Sequence, residues 1–445
     1  MIMRKLTALL LSLVLLMALT GCSKPAEEAK NAAKSAGVTE ITFWHCMSEN
    51  AGLILDEQVK QFNETIGKEK NIHVSAVYQG AYTDATAKMN NVLSTGKKAQ
   101  LPDVMQMDAT GKVNYLNSGA AYTVDAARKD DATFDTAALL PAALANWQLT
   151  GVQLGVPFAT STTVMYYNKT LLNEKNAAVP QTFQDIAALY PLFKDSGVSL
   201  YTDLPNTPSL GNWLGQLGSL LVNNENGNSG TADALACVDN GALLTFLSAW
   251  KDLYASGALE NAEGSLERFA AGQIVFICAS SSKAAGLRDA IGDKFEMGIA
   301  AFPKVNQQAM SGSTASGSCL VMFDSGDAQR KAAARTFVQF MTGAPAQAAI
   351  AAGTGYIPAH VDAAKEPVYQ QLLQQYPDYA VSFTQLTQTP GSMRSVTVGP
   401  AKDFYYAIQN HVSDMLKENL SAEETTALMT DELNGLLEQY KMANP

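Results

Sequence analysis

Charge and histidine are scarce in this sequence. Only 16% of its 445 residues are charged and four are histidine, while acidic side chains outnumber basic ones by 42 to 31, a net charge of −11. Without the leader that carries Arg4 and Lys5 the balance becomes 29 − 42 = −13. Such a surface argues against nucleic acid or an anionic membrane face as partner, since both are bound through clustered Lys and Arg. Cysteine is also sparse: Cys22, Cys46, Cys237, Cys278 and Cys319 form no CxxC, and His45, His73, His360 and His411 show no zinc-ligand spacing. No metal or cofactor is expected. The four cysteines after Cys22 read as buried thiols, with three full disulfide pairings open to them. GxSxG, HExxH, GxxxxGK[ST] and GxGxxG are all absent, so no nucleophile, zinc or phosphate-loop chemistry announces itself. The pairs Glu423-Glu424 and Asp431-Glu432 read as solvated helix faces, and adjacent His45 and Cys46 point to opposite faces of a strand. An enzyme is not expected.

What is present begins with a leader. Arg4 and Lys5 precede an apolar run from Leu6 to Leu19 that is too short for the ~20 residues of a bilayer span, which marks a signal segment over residues 1–21. It ends in Leu19-Thr20-Gly21-Cys22, which resembles a bacterial lipobox; the resemblance implies that Cys22 is acylated and tethers the chain outside the cytoplasmic membrane. Residues 22–37 are small and charged without periodicity, a flexible tether.

The body, 47% hydrophobic over the whole chain, has ample material for buried cores. Strand Ile41–Trp44, a helix with Leu55, Val59, Phe62 and Ile66 on one face, strand His73–Tyr78, a helix with Ala85, Met89 and Val92, and strand Asp103–Met107 predict a parallel βαβαβ sheet. Ligands of such sheets bind beyond the carboxyl ends of the strands, where Trp44, His45, Tyr82 and Asp108 fall. The segment Gly155–Ser161 reads as a crossing into a second lobe, whose strand Ile274–Cys278 runs into Ala279–Ser282. Aromatic faces mixed with small hydroxyl residues at loop ends suit a polyol or sugar.

The segments ITFWHCMSE, VYQGAYTDATA, LPDVMQMDATG, PFATSTTVMYYNK, ERFAAGQIVFICASSSKAAGLR, GIAAFPK and GTGYIPAH, in this order from about residue 40 to 360, resemble the extracytoplasmic solute-binding proteins of ABC importers, cluster-one carbohydrate type. The resemblance implies an α/β, two-lobed periplasmic-binding-protein fold of class II, each lobe a mostly parallel sheet flanked by helices. Residues 38–155 with 282–345 would form lobe 1, and 156–281 with 346–445 lobe 2. It also implies ligand contacts at Tyr82, Ser161, Ser280, Gly317 and Tyr356, with Trp44 and His45 in the first loop and Trp213 as an aromatic of the second lobe.

Two departures from the phosphoglycerol-binding branch bear on the ligand. The family's acidic contact falls on Ala109, with Asp108 one place earlier, and its arginine aligns near Asp403, leaving Arg394 as an unaligned substitute. The expectation is therefore a neutral sugar, short oligosaccharide or polyol, captured by a monomeric anchored receptor and delivered to a permease. Glycerol 3-phosphate or a glycerophosphodiester is the second option, and a surface glycan hydrolase the rival.

Overall fold

The computed structural model describes residues 37–444. The leader, Cys22 and nearly all of the tether lie outside the described residues.

Two sheets organise the chain. The first joins β1 (Thr39–His45), β2 (Ile72–Tyr78), β3 (Val104–Met107), β4 (Ala121–Tyr122), β7 (Val156–Ser161) and β13 (Ser316–Phe323), in the order β2-β1-β3-β13-β4 with β7 also on β13. Between β4 and β7 a small hairpin, β5 (Gln148–Leu149) with β6 (Val152–Gln153), stands apart. The second sheet takes β8 (Thr163–Asn168), β9 (Ser199–Asp203), β10 (Leu259–Asn261), β11 (Ile274–Ser280) and β12 (Met297–Ala301), in the order β10-β9-β11-β8-β12. β1 lies parallel to β2 and β3, and helices Glu49–Glu64 and Tyr82–Thr95 make the crossovers, as the alternating pattern predicts. Each sheet is nonetheless mixed: β13 runs antiparallel to β3, and β8 antiparallel to β11 and β12, because these strands enter from the other lobe.

Strand pairing also moves the expected lobe limits. β7 pairs with β13 of the first sheet, so the chain leaves that sheet at Ser161, not at residue 155. β12 pairs with β8, so residues 282–301 stay with the second sheet and the return lies between Ala301 and Ser316. The two crossings touch. Thr162, wholly buried, donates its hydroxyl to the Ser313 carbonyl at 3.0 Å, and Gln385 Nε2 donates to the Thr163 carbonyl at 2.7 Å. A buried polar strap of this kind lets two lobes rotate about fixed backbone positions while its polar groups stay paired.

The cores are aromatic. Phe43, Phe62 and Phe337 meet edge to face at 5.2 Å beneath the first sheet. Helix Glu49–Glu64 supplies Leu55, Val59 and Phe62 from one face, the spacing read from sequence, but the expected fourth member, Ile66, opens a separate short helix, Ile66–Lys70, after a break at Thr65. The second lobe is centred on Phe183, Trp213, Phe246, Trp250 and Phe302, closed by the C-terminal helices Ala401–Lys417 and Ala422–Ala443. Cys46, Cys237, Cys278 and Cys319 are free thiols. No helix among the described residues is long and apolar enough to cross a membrane.

Candidate functional site

The carboxyl ends of β1 and β3 and the opening of β13 carry a chain of polar groups. Gln106, central in β3 and fully buried, accepts from the Cys46 amide through Oε1 at 2.9 Å. Its Nε2 donates to the Tyr82 hydroxyl and to Ser318 Oγ, each at 2.9 Å. Tyr82 opens its helix after a turn in which the Ala81 amide donates to Asp84 at 3.1 Å. Burial pushes the Tyr82 phenol well above its ordinary range, and that of Tyr356 up, against the neighbouring Tyr82 and Ser282 hydroxyls. Both therefore remain neutral hydroxyls able to donate. Ser282 shares a hydrogen bond of 2.9 Å with Ser280, so the end of β11 brings the second lobe to this cluster.

Ser161 and Ser316 share another at 2.9 Å where β7 meets β13. Next to them Gly317 has φ +96°, and a Cβ there would stand 2.0 Å from the Ala159 carbonyl oxygen, so only glycine fits. Gly317 and Ser316 border a cavity of about 220 Å³ between the lobes, lined also by Asp108, Asn146, Asn212 and Arg394. Asp108 Oδ1 accepts from the Thr110 amide at 3.2 Å and hydroxyl at 2.6 Å. Burial raises this carboxyl above its usual range and those two bonds hold it back. Asn212 Oδ1 accepts from the amide and hydroxyl of Thr314, both at 2.9 Å, which leaves its NH2 for the cavity. Arg394 sits on a loop whose carbonyl oxygen takes a 2.7 Å bond from Asn226 Nδ2; its guanidinium has no ion pair and no hydrogen bond among the described residues.

Of the residues expected from sequence, Tyr82, Tyr356 and Ser280 gather at one end of the interlobe gap, and Ser161, Gly317, Asp108 and Arg394 at the other. Three do not join them. Trp44 packs beneath helix Tyr82–Thr95 among Ala85, Met89 and Met105, with the Lys88 ammonium 4.3 Å from its ring centroid. His45 points to the other face of the sheet, 5% exposed between Phe43 and Tyr78, and burial lowers its pKa. Helices cover both faces of β1, so alternation buries both neighbours. Trp213 is wholly buried, stacked on Phe246 and Phe302, with Nε1 donating to the Pro303 carbonyl at 3.2 Å. The helix turns its neighbour Asn212 to the cavity instead. Gln106, Ser318, Asn146 and Asn212 were missed; the one local signal was Gln106, a lone amide in the apolar strand Val104–Met107, all of it buried. Asp108 is the single carboxylate lining the cavity, whereas glycoside hydrolysis takes two across one cleft.

The sequence profile of the bacterial extracellular solute-binding proteins matches residues 57–379. The chain is 24% identical over 369 residues to the sn-glycerol-3-phosphate-binding periplasmic protein of Yersinia pseudotuberculosis, covering 80% of this chain and 82% of that protein. Against the corresponding protein of Agrobacterium fabrum identity is 25% over 345 residues, with 74% and 76% covered. Among solved structures, UgpB from Mycobacterium tuberculosis in complex with glycerophosphocholine superposes with a TM-score of 0.73 at 19% identity, over 91% of this chain and all of that one. The cyclic alpha-maltosyl-1,6-maltose binding protein of Arthrobacter globiformis gives 0.75 at 19% identity over the same shares. The chain belongs to the bacterial extracellular solute-binding protein family and serves as a substrate-binding receptor, not an enzyme.

Proposed function

We propose that this receptor captures a glycerol phosphate or glycerophosphodiester and delivers it to an ABC permease from a lipid anchor on Cys22. The observation that carries the reading is Arg394, an arginine without an ion pair among the described residues, which lines the interlobe cavity of a chain with net charge −11. A charge-assisted bond to phosphate contributes about 1.5–3 kcal/mol, one to two decades of affinity. Asn212 adds a donor beside it, and Asp108 at the other side of the cavity accepts from glycerol hydroxyls. Both lobes line this cavity, Asp108 and Gly317 from the first and Asn212 and Arg394 from the second. The full set of contacts exists only when the lobes are closed, and ligand shifts the population to that state. The names of the sequence relatives agree with an anionic polyol.

The neutral-sugar expectation rested on the departures at Ala109 and Asp403, with aromatic faces to suit a sugar, and of those aromatics Trp44 and Trp213 are core residues. One feature favours it as a second reading: a further interlobe cavity of about 490 Å³ beyond Tyr356 and Ser282 has room for an oligosaccharide. Calorimetric titration with sn-glycerol 3-phosphate, glycerophosphocholine and maltose separates the two. Binding of the phosphates, weakened at least about tenfold by Arg394→Gln, is the expected result; binding of maltose alone overturns it.

A further inference from the structure

Lys112 is fully buried in the first lobe, on the helix Lys112–Asn117 directly after the Asp108 loop. Its ammonium donates to the Asn146 carbonyl at 2.9 Å and to Asn228 Oδ1 at 2.8 Å. No carboxylate is among the charges acting on it; the one ionisable neighbour that does is Cys319. A buried cation without a counter-ion is costly, and removing either partner would leave it costlier still.

Both partners are walls of the ligand site. Asn146 lines the cavity that Arg394 lines, and Asn228, from the second lobe, lines the small recess adjoining it. Asn228 Nδ2 donates to the Ser395 carbonyl at 2.7 Å, and Thr397 Oγ1 donates to Asn228 Oδ1 at 3.0 Å, so the same amide that takes the lysine proton holds the Arg394 loop. Lys112 thus stands one residue behind the wall of a cavity whose other cation is Arg394.

Resting on the reading of an anionic ligand, we infer that Lys112 is a positioning residue that supplies the second positive charge of the site, acting through Asn146 and Asn228 without touching the ligand. Its charge lacks a counter-ion until the solute's anionic group enters, and in a water-poor interior that field is weakly screened. The ammonium also biases Asn228 to present Oδ1 inward and Nδ2 to the Ser395 carbonyl, which sets the loop on which Arg394 stands. A lysine retained only to stitch the lobes together predicts something else: its removal would lower stability and leave charge selectivity alone.

The test is titration of glycerophosphocholine into the wild-type protein and Lys112→Met, with thermal melts of both. The expected result is affinity about tenfold weaker in Lys112→Met with its melting temperature held or raised. Because burial brings the Lys112 ammonium down to about 8, the wild-type affinity also falls between pH 7 and 9.5, and the variant's does not. The groups around it do not titrate in that window: Cys319 is pushed well above its ordinary value, and Cys46 and Tyr115 to about 12. Equal affinity in the two proteins, or a lower melting temperature with a flat wild-type pH profile, overturns the inference while the anionic-ligand reading stands. The wild-type profile needs no variant and decides the matter should Lys112→Met fail to fold. A wild-type protein that binds none of glycerophosphocholine, sn-glycerol 3-phosphate and inorganic phosphate overturns the anionic reading itself, and the role of Lys112 with it.

Discussion

On the first-lobe side of the cavity, Gln106, Ser318 and Gly317 stand on strands whose partners are fixed by sheet pairing. Across the gap, Arg394 stands on a loop held by side-chain amides, Asn226 to its own carbonyl and Asn228 to that of Ser395, both at 2.7 Å. Asn226 ends a left-handed run, Asn224, Glu225 and Asn226, with φ of 53°, 54° and 58°, and Asn228 follows two residues later. Asparagine tolerates this conformation better than most residues. A sheet resists displacement because a shifted strand breaks its ladder, whereas a loop moves by rotating a few dihedrals. One side of the site is a fixed template, and the other can follow the ligand during closure.

Two glycines probe that contrast most strongly. A Cβ at Gly317 would stand 2.0 Å from the Ala159 carbonyl oxygen, and one at Gly227 1.9 Å from that of Thr397, both at positive φ. The local clashes are alike, but the surroundings differ. Gly317→Ala is expected to cost more than ~3 kcal/mol in urea denaturation, since β7 and β13 must part. Gly227→Ala is expected to cost about 1–2 kcal/mol while still weakening phosphate binding, since the Arg394 loop yields. Equal losses of stability would mean that the loop is as rigid as the sheet.

A smaller contrast lies within the first lobe, between Trp44 and Tyr82. Trp44→Ala removes a core ring and is expected to cost about 3 kcal/mol with affinity retained in the folded fraction. Tyr82→Phe removes only a hydroxyl bonded to Gln106, costing about 1 kcal/mol. Its affinity is expected to fall severalfold, because the hydroxyl also meets Tyr356, which lines the second interlobe cavity. Loss of binding in Trp44→Ala at unchanged melting temperature would return the tryptophan to the site.

These two residues also mark how far the sequence was readable. The βαβαβ order, the helix face of Leu55, Val59 and Phe62, and the existence of a crossing in Gly155–Ser161 followed from periodicity and from the break in pattern there, all local signals. Tyr82, Gly317 and Tyr356 came from matching segments. Trp44 and Trp213 were misread because an aromatic at a strand end or on a helix can face either the gap or the core, and only packing decides which. Gln106 to Ser318 spans 212 residues and Asn228 to Lys112 spans 116, so neither partnership leaves any local pattern. The expected change of lobe at residue 155 fell short by one strand, since a strand that precedes a crossing looks the same in sequence as one that follows it.

Lys112 joins the two sides, a first-lobe lysine on a second-lobe asparagine, and its titration gives the finest measure of that junction. Burial lowers its ammonium from 10.5 to about 8. Between those values the unfolded chain still carries a proton that the folded chain has given up, so the stability of the wild type gains with rising pH relative to a chain without the group. The destabilisation from the buried charge is fully present below pH 8 and disappears toward pH 10.5. Lys112→Met lacks this contribution, so its stability advantage over the wild type should shrink by about 1.5 kcal/mol between pH 8 and 9.5, measured by urea denaturation of both proteins at each pH. Taking the difference removes every other group that titrates in common. Bound glycerophosphocholine supplies the missing counter-charge, raises the lysine pKa, and moves the same narrowing to higher pH. A gap that stays constant from pH 8 to 9.5 would mean that the ammonium keeps its ordinary pKa, solvated by Asn146 and Asn228 as water would solvate it.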